Sequence, residues 1–339
     1  VYQLGDPVPL AATASDSDGT VAQVEFLVDG AVVATVLAAP WEAVWNGGGG
    51  GSHQVIARAT DNQGDTGDSP AVDFSIYDPN GTSRVTGGLV VLYDFSTGSG
   101  GVVPDVSGVG SPMDLSIGDL GAVTWLPGGG LSLDTATIVR SAGPGTKVQD
   151  AVTSSNAITV EAWLSPDALG QTGPARIVTC SADPFTRNFT LGQNDNRYAM
   201  RMRTTSTSTN GTPEILTGSG TLTTDLTHVV YTRDAAGAVT IYLDGVQATT
   251  GTTGGTFGNW NAGYGFALGN ELSEDRPWLG SFHLVAVYDR ALPALDIEQN
   301  FAAGPQGQPD PSIPVISSAP VLSLIHISEP TRLWSGSRM

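Results

Sequence analysis

Lysine is almost missing from this chain. Of 339 residues only Lys147 is a lysine, and lysine and arginine together number 14 against 33 aspartates and glutamates. The formal net charge of −19 repels nucleic acid phosphate and anionic membranes, which argues against both as partners. Cysteine is nearly missing too. A lone Cys180 excludes an internal disulfide and a cysteine-based zinc site, and its run Arg176-Ile-Val-Thr-Cys180 reads as the setting of a buried, inert thiol. No apolar run reaches about eighteen residues, so no membrane-spanning helix is expected. Charged residues of either sign make up only 14%, and the amphipathic stripes of Ala, Leu, Glu, Lys and Arg that build long helices do not occur. The chain opens on Val1, not on Met, and reads as a processed product or a fragment.

What the sequence does have is glycine, 44 residues of it, set among short β-branched runs with Pro, Asn and Asp between them. That pattern predicts an all-β fold of sandwiches. Residues 1–78 read as one small sandwich. In "VAQVEFLVDG" Val24, Phe26 and Val28 alternate with Gln23, Glu25 and Leu27, and Asp29-Gly30 then turns the chain into "AVVATVLAAP", a hairpin signal. Val72, Phe74 and Ile76 share one face of the closing strand, and Trp41 or Trp45 is expected to fill the core. Residues 79–88 form a polar Gly/Pro/Asn linker. A larger domain follows over 89–304, and within it only "LPALDIEQNFAAG" reads as a helix, with Pro293 in its first turn and Gly304 as its stop. Residues 305–321 open as a Pro-rich linker, and the run "IPVISSAPVL" resembles the opening strand of a further bacterial Ig- or cadherin-like domain. The natural protein is expected to continue beyond them. Leu322 to Arg332, "LSLIHISEPTR", match the one-frame translation of a transposase-type sequencing adapter, so 322–339 are set aside as foreign.

Two resemblances rest on these segments. "ATASDSDGTVAQVEFLVDGAVVAT", "APWEAVWN" and "GSHQVIARATDNQGDTGDS" resemble the bacterial Ig-like modules of secreted hydrolases and adhesins, which implies a spacer or binding accessory outside the cell or on its surface. "LYDF", "ITVEAWLSP", "HVVYTRDAAGAVTIYLDGV" and "WLGSFHLVAVYDRALPALDIEQNF" resemble, in that order, the concanavalin A-like, laminin-G type domains. This second likeness implies a two-sheet jelly roll that binds carbohydrate or a surface ligand, with further domains of the same polypeptide beside it. One departure is plain: Gly280-Ser281-Phe282-His283-Leu284 lacks the acidic residue the family usually carries after the Gly-x-Ile of its last strand.

Catalytic patterns are absent. Retaining glycoside hydrolysis needs two carboxylates about 5–5.5 Å apart, yet no Glu-x-Asp-x-x-Glu strand occurs, and Trp163 and Ser165 hold the same-face positions beside Glu161. There is no Gly-x-Ser-x-Gly elbow, and His53, His228 and His283 lie singly in strands. The reading is therefore a non-enzyme, with a structural spacer as the alternative to a binding module.

Three groups of residues invite a ligand. Arg197, Arg201 and Arg203 share parity on "RYAMRMRTT" while Tyr198, Met200 and Met202 face the core. They form either a contact stripe for an acidic glycan or a set of ion pairs to Glu214, Glu271 or Glu274. Trp260, Tyr264 and Trp278 lie in or beside loops, where exposed rings would stack on sugars and buried ones would pack. For calcium, which takes six to eight oxygen ligands, the first choice is Asn270, Glu271, Glu274 and Asp275, and the alternative is the turns of Asp16, Asp18 and Asp61. Each of these is equally readable as a solvated loop or an ordinary turn.

Overall fold

The computed structural model describes residues 2–16, 19–47, 51–77, 84–305 and 325–326. The linker expected at 79–88 lies partly outside them, and 305–321 and 322–339 almost wholly so. The chain divides into two compact units that part between Val85 and Thr86.

In the first unit the Asp29-Gly30 signal forms the turn it predicts. Both residues have positive φ (51° and 79°), the conformation of a tight two-residue hairpin, and they join Val21–Val28 to Ala31–Val36. Val21–Val28 also pairs with Gly51–Asp61, which carries Val72–Tyr77 on its other side. A smaller sheet pairs Val8–Thr13 with Trp41–Trp45, and the backbone of Ile325–His326 runs parallel to Val8–Thr13. Val24, Phe26, Val28, Val55, Phe74 and Leu10 are buried between the sheets. Neither Trp41 nor Trp45 fills this core. Both are only partly buried and pack at its margin, Trp45 edge-on to Phe74 with 5.7 Å between ring centroids.

The second unit is a sandwich of two eight-stranded sheets. One runs in the order Val123–Trp125, Leu131–Leu133, Gly280–Tyr288, Ile158–Pro166, Thr227–Arg233, Ala238–Leu243, Val246–Thr252, with Leu89–Tyr93 also on Gly280–Tyr288. The other runs Val102–Val103, Leu115–Ile117, Val139–Pro144, Gly265–Leu268, Ala175–Asp183, Thr186–Asn194, Arg197–Met202, Ile215–Leu216. Alternate residues such as Val160, Ala162, Leu164, Phe189, Leu191 and Met200 meet between the sheets in one core.

The outer face of the first of these sheets is closed. Helix Ala294–Ala303 lies over it, with the Phe301 ring stacked 5.5 Å from Trp163. Pro293 is the cap residue just before this helix, one position earlier than expected, and Gly304 ends it with a φ of 67°. Beneath the helix Glu161 takes hydrogen bonds from His228 (2.7 Å) and Asn300 (2.8 Å).

A second helix, Thr146–Ser155, escaped the sequence reading. Only Val148 and Val152, one turn apart, reach the core from its ten residues, and its Thr and Ser content is poor in helix formers. Tertiary contacts override that composition. Lys147, in its first turn, donates to the fully buried carboxylate of Asp105 at 2.6 Å. Asp105 also accepts from the backbone N–H groups of Leu92, Ser107 and Met113.

Burial alone would raise the Asp105 carboxyl, but Lys147 and these donors outweigh it and hold the group below its ordinary range. A depressed folded pKa adds stability that is complete above the unfolded value, about 4, and is lost as pH falls through the folded value. Asp105→Ala is expected to cost about 2–4 kcal/mol, because three N–H groups and an ammonium lose their acceptor. Denaturant midpoints at pH 7 and pH 3 check it: the gap between wild type and variant should narrow at the lower pH.

Candidate functional site

One sheet is roofed by a helix, and on the outer face of the other the side chains stay open toward the ends of one row, at Ser116, Arg140 and Arg201, while Ala267, Thr179 and Thr190 between them are buried. The cross-strand register draws this row. Ser116 lies opposite Arg140, Arg140 and Thr179 both opposite Ala267, Thr179 opposite Thr190, and Thr190 opposite Arg201. Their neighbours in sequence, among them Leu115, Val139, Cys180, Leu191 and Met200, point inward to the core. Alternation thus makes this face polar from edge to edge.

Past Leu268 the chain folds back over the row and lays Glu271 on it. Glu271 accepts from Arg176 Nε at 2.8 Å and from the Ser181 hydroxyl, and its Oε2 is 3.9 Å from Arg187 Nη1. Arg187 donates to Thr190 Oγ1 at 3.0 Å, and the carbonyls of Pro174 and Pro184 accept from Arg176 and Arg187. Arg176, Arg187 and Glu271 are each 0% exposed. Arg176 Nη2 and Arg187 Nε have no hydrogen-bond partner among the described residues. Two guanidinium groups therefore share one carboxylate out of water. Burial, and next the charge of Arg176, pulls Arg187 down to about 9.

Beside this cluster an open cleft of about 570 Å³ runs over the sheet, lined by Ser116, Arg140, Ser141, Ser181, Gly265 and Leu272 among others. Ser181 is its link to the buried charges. Arg140 stands in its wall, about half exposed and only 3.6 Å from the equally exposed Glu274. A second cleft, of about 590 Å³, is lined by Gly170, Asn194, Asp195, Asn196, Arg197 and Leu216.

The residues singled out by sequence are distributed as follows. Arg197, Arg201 and Arg203 do face away from the core. Arg197 belongs to the second cleft, Arg201 is held by Glu214 at 2.8 Å, and Arg203 reaches the Tyr264 hydroxyl at 3.5 Å. Trp260 joins that last pair by donating to the Arg203 carbonyl at 2.7 Å, with its ring packed 4.6 Å from Phe257. Arg203, Trp260 and Tyr264 thus come together and the other predicted contacts do not join them. Trp278 must be corrected: it is fully buried, its indole N–H donates to Gln193 at 2.9 Å, and it presents no face to a sugar.

In the acidic loop Asn270 accepts from the N–H groups of Glu271 (2.9 Å) and Arg276 (3.0 Å), which shapes the turn. Glu271 serves the arginines, Glu274 faces Arg140, and Asp275 faces Arg276 at 3.3 Å. Among the described residues no group of three or more His, Cys, Asp or Glu side chains is placed to hold a metal. In the first unit Asp61 caps its own turn, accepting from the N–H groups of Gln63, Gly64 and Asp65 at 2.7–2.9 Å. Asp16 lies with Asn62 close around Gly19, and Asp18 is outside the described residues.

Arg140, Arg176, Arg187 and Ser181 were missed. Bulges between Arg176 and Val178 and between Cys180 and Asp183 break the alternation that would have put these arginines on one face. The available signal was their presence inside strands of a chain so poor in basic residues.

Comparison with known families agrees with this architecture. Residues 140–298 match the concanavalin A-like lectin/glucanases superfamily, and residues 1–57 match the bacterial Ig domain. The chain thus joins a bacterial Ig domain to a concanavalin A-like domain, in that order. No curated protein matches it. Among solved structures, a Trypanosoma rangeli sialidase mutant with trans-sialidase activity aligns over 76% of this chain and 44% of its own, at 17% identity and a TM-score of 0.51, a likeness of fold. Domain 4 of the extracellular arabinanase AbnA from Geobacillus stearothermophilus, solved with arabinotriose, aligns over 62% of this chain and 97% of its own, at 21% identity and a TM-score of 0.47. The binding domain of botulinum neurotoxin DC, solved with rat synaptotagmin II, aligns over 63% and 51%, at 13% identity and a TM-score of 0.45. The chain spans about half the length of the sialidase and toxin chains.

Removing Glu271 strands two buried guanidinium groups, whereas removing Glu274 strands none. Glu271→Ala is expected to cost about 3–5 kcal/mol and Glu274→Ala about 0–1 kcal/mol. Equilibrium unfolding of the two variants checks the difference.

Proposed function

We propose that this chain is a non-catalytic, extracellular carbohydrate-binding module, and that its concanavalin A-like domain holds a glycan on the polar outer face opposite the helix-covered sheet. The observation that carries this reading is the cleft at the Ser116–Arg140 end of the row. The hydroxyl of Ser116 and the guanidinium of Arg140 offer directional hydrogen bonds to sugar hydroxyls, and Gly143 and Gly263 let a ring approach the backbone. Leu272 supplies an apolar patch for the carbon face of a sugar.

Two features support binding over hydrolysis. No pair of carboxylates lines the cleft among the described residues, Glu274 standing alone at its edge beside Arg140, while glycoside cleavage calls for a pair. Glu161 sits under the helix, bonded to His228 and Asn300, away from any open surface. The bacterial Ig domain and the net charge of −19 suit an extracellular setting rich in salt, and no described helix is long and apolar enough to cross a membrane.

A glycan array probed with the full chain tests the proposal. Binding to a defined glycan is expected, with no reducing ends released on prolonged incubation. Ser116→Trp, at an exposed strand position in the cleft, should abolish binding and leave the melting temperature within about 2 °C, the range of a neutral surface change. Release of reducing ends would make the protein an enzyme, and no binding to any glycan would make it a spacer.

A further inference from the structure

The charge on this face is not balanced. Besides Arg197 and Arg203, four arginines stand on it, Arg140, Arg176, Arg187 and Arg201, out of only 14 basic residues in the chain. Three carboxylates face them. Glu214 is committed to Arg201 at 2.8 Å. Glu271 is shared between Arg176 and Arg187 and is the carboxylate within 4 Å of both, so positive charge is locally in excess where no water reaches it, with Asp183 acting on Arg187 from farther off. Glu274 is only 3.6 Å from Arg140, and both are about half exposed, so this pair is weakly held. The excess lies directly under the cleft, because Ser181 both lines the cleft and donates to Glu271. Ser181 is 0% exposed, donates to Glu271 and accepts from the Thr179 hydroxyl at 3.0 Å, so it joins the cleft floor to the buried charges without being a ligand contact itself.

A cleft wall that presents a loosely paired guanidinium, above buried positive charge, favours a ligand with a negative group. Arg140 meets Glu274 through one loose contact, so its planar fork remains available, and a planar carboxylate is the anion that such a fork matches. We propose that the cleft selects glycans bearing uronate carboxylates, and that Arg140 is the residue that sets this preference. The proposal rests on the carbohydrate-binding reading and sharpens it. Arg140 releases Glu274, an exposed loop carboxylate with a φ of 61°, and takes the sugar carboxylate in its place. The sugar ring lies over Leu272 and the glycines, and its hydroxyls meet Ser116. Arg201 and Arg203, the arginines that parity pointed to, are not needed.

The experiment compares trigalacturonate with its fully methyl-esterified form on the full chain by calorimetry. The two probes differ only in charge. At about 0.15 M salt the Debye length is about 8 Å, so the overall acidity of the protein is screened and the local arginine is not. The acid is expected to bind at least tenfold more tightly than the ester. Arg140→Gln should remove that ratio while leaving the melting temperature and any binding of the ester unchanged. Arg140→Lys, which keeps the charge but not the fork, should fall between. Arg197→Gln, in the other cleft, should bind as the wild type does. Equal affinity for acid and ester, or a ratio that survives Arg140→Gln, overturns the proposal. A sulfated galactan oligosaccharide bound tenfold more tightly than the uronate through Arg140 overturns the assignment of a carboxylate. If neutral glycans alone bind, the uronate proposal fails and the carbohydrate-binding reading stands. If no glycan of any kind binds, both fail.

Discussion

Glu271 holds together a face that would otherwise repel itself. Two arginines reach it from neighbouring strands, Arg176 and Arg187, and each is fully buried. A guanidinium without a counter-charge in such a place carries a desolvation cost of several kcal/mol. The loop after Leu268 is therefore obliged to fold back over the sheet, and Asn270 fixes the turn that makes it do so. That return brings Leu272 and Glu274 to the edge of the cleft. The cleft's shape and its electrostatic character thus follow from one carboxylate placed where the sheet demands it.

The two outer faces of the sandwich show two solutions to the same difficulty. Both sheets bury polar groups on the side away from the core. On one, Glu161 meets His228 and Asn300, and a helix seals them with Phe301 stacked on Trp163. On the other, Glu271 meets arginines, and only a loop covers them. A sealed network of this kind rigidifies, whereas one covered by a loop stays within reach of solvent at its margin. The cleft lined by Arg140 lies on the arginine-bearing face and not on the helix-covered one.

Much of the fold was legible because its signals are local. Asp29-Gly30 specifies its own hairpin, Gly304 its own helix stop, and the alternation of Tyr198, Met200 and Met202 with arginines its own inward face. The site was less legible, for three physical reasons. Bulges in Ala175–Asp183 hide the shared face of Arg176 and Arg187 from any count by twos. The oxygen-rich loop at 270–276 looks like a cation site, but its carboxylates answer to arginines more than ninety positions away in one case, Glu271 with Arg176. Trp278 and Trp260 both lie in loop-like sequence two residues from a glycine, and packing distinguishes the buried ring from the partly exposed one.

The ion pair between Lys147 and Asp105 has a further consequence, for the chemistry of the protein in the hands of an experimenter. Lys147 is the sole lysine of the sequence and Cys180 the sole cysteine. The thiol is buried, and burial pushes it up to about 12, so it stays protonated and inert near neutral pH. The only side-chain amine is bound to a buried carboxylate at 2.6 Å. Reagents that couple to amines or thiols therefore find no reactive side chain in the folded concanavalin A-like domain except one that clamps its first helix in place. Coupling at Lys147 becomes a report on whether that clamp has opened.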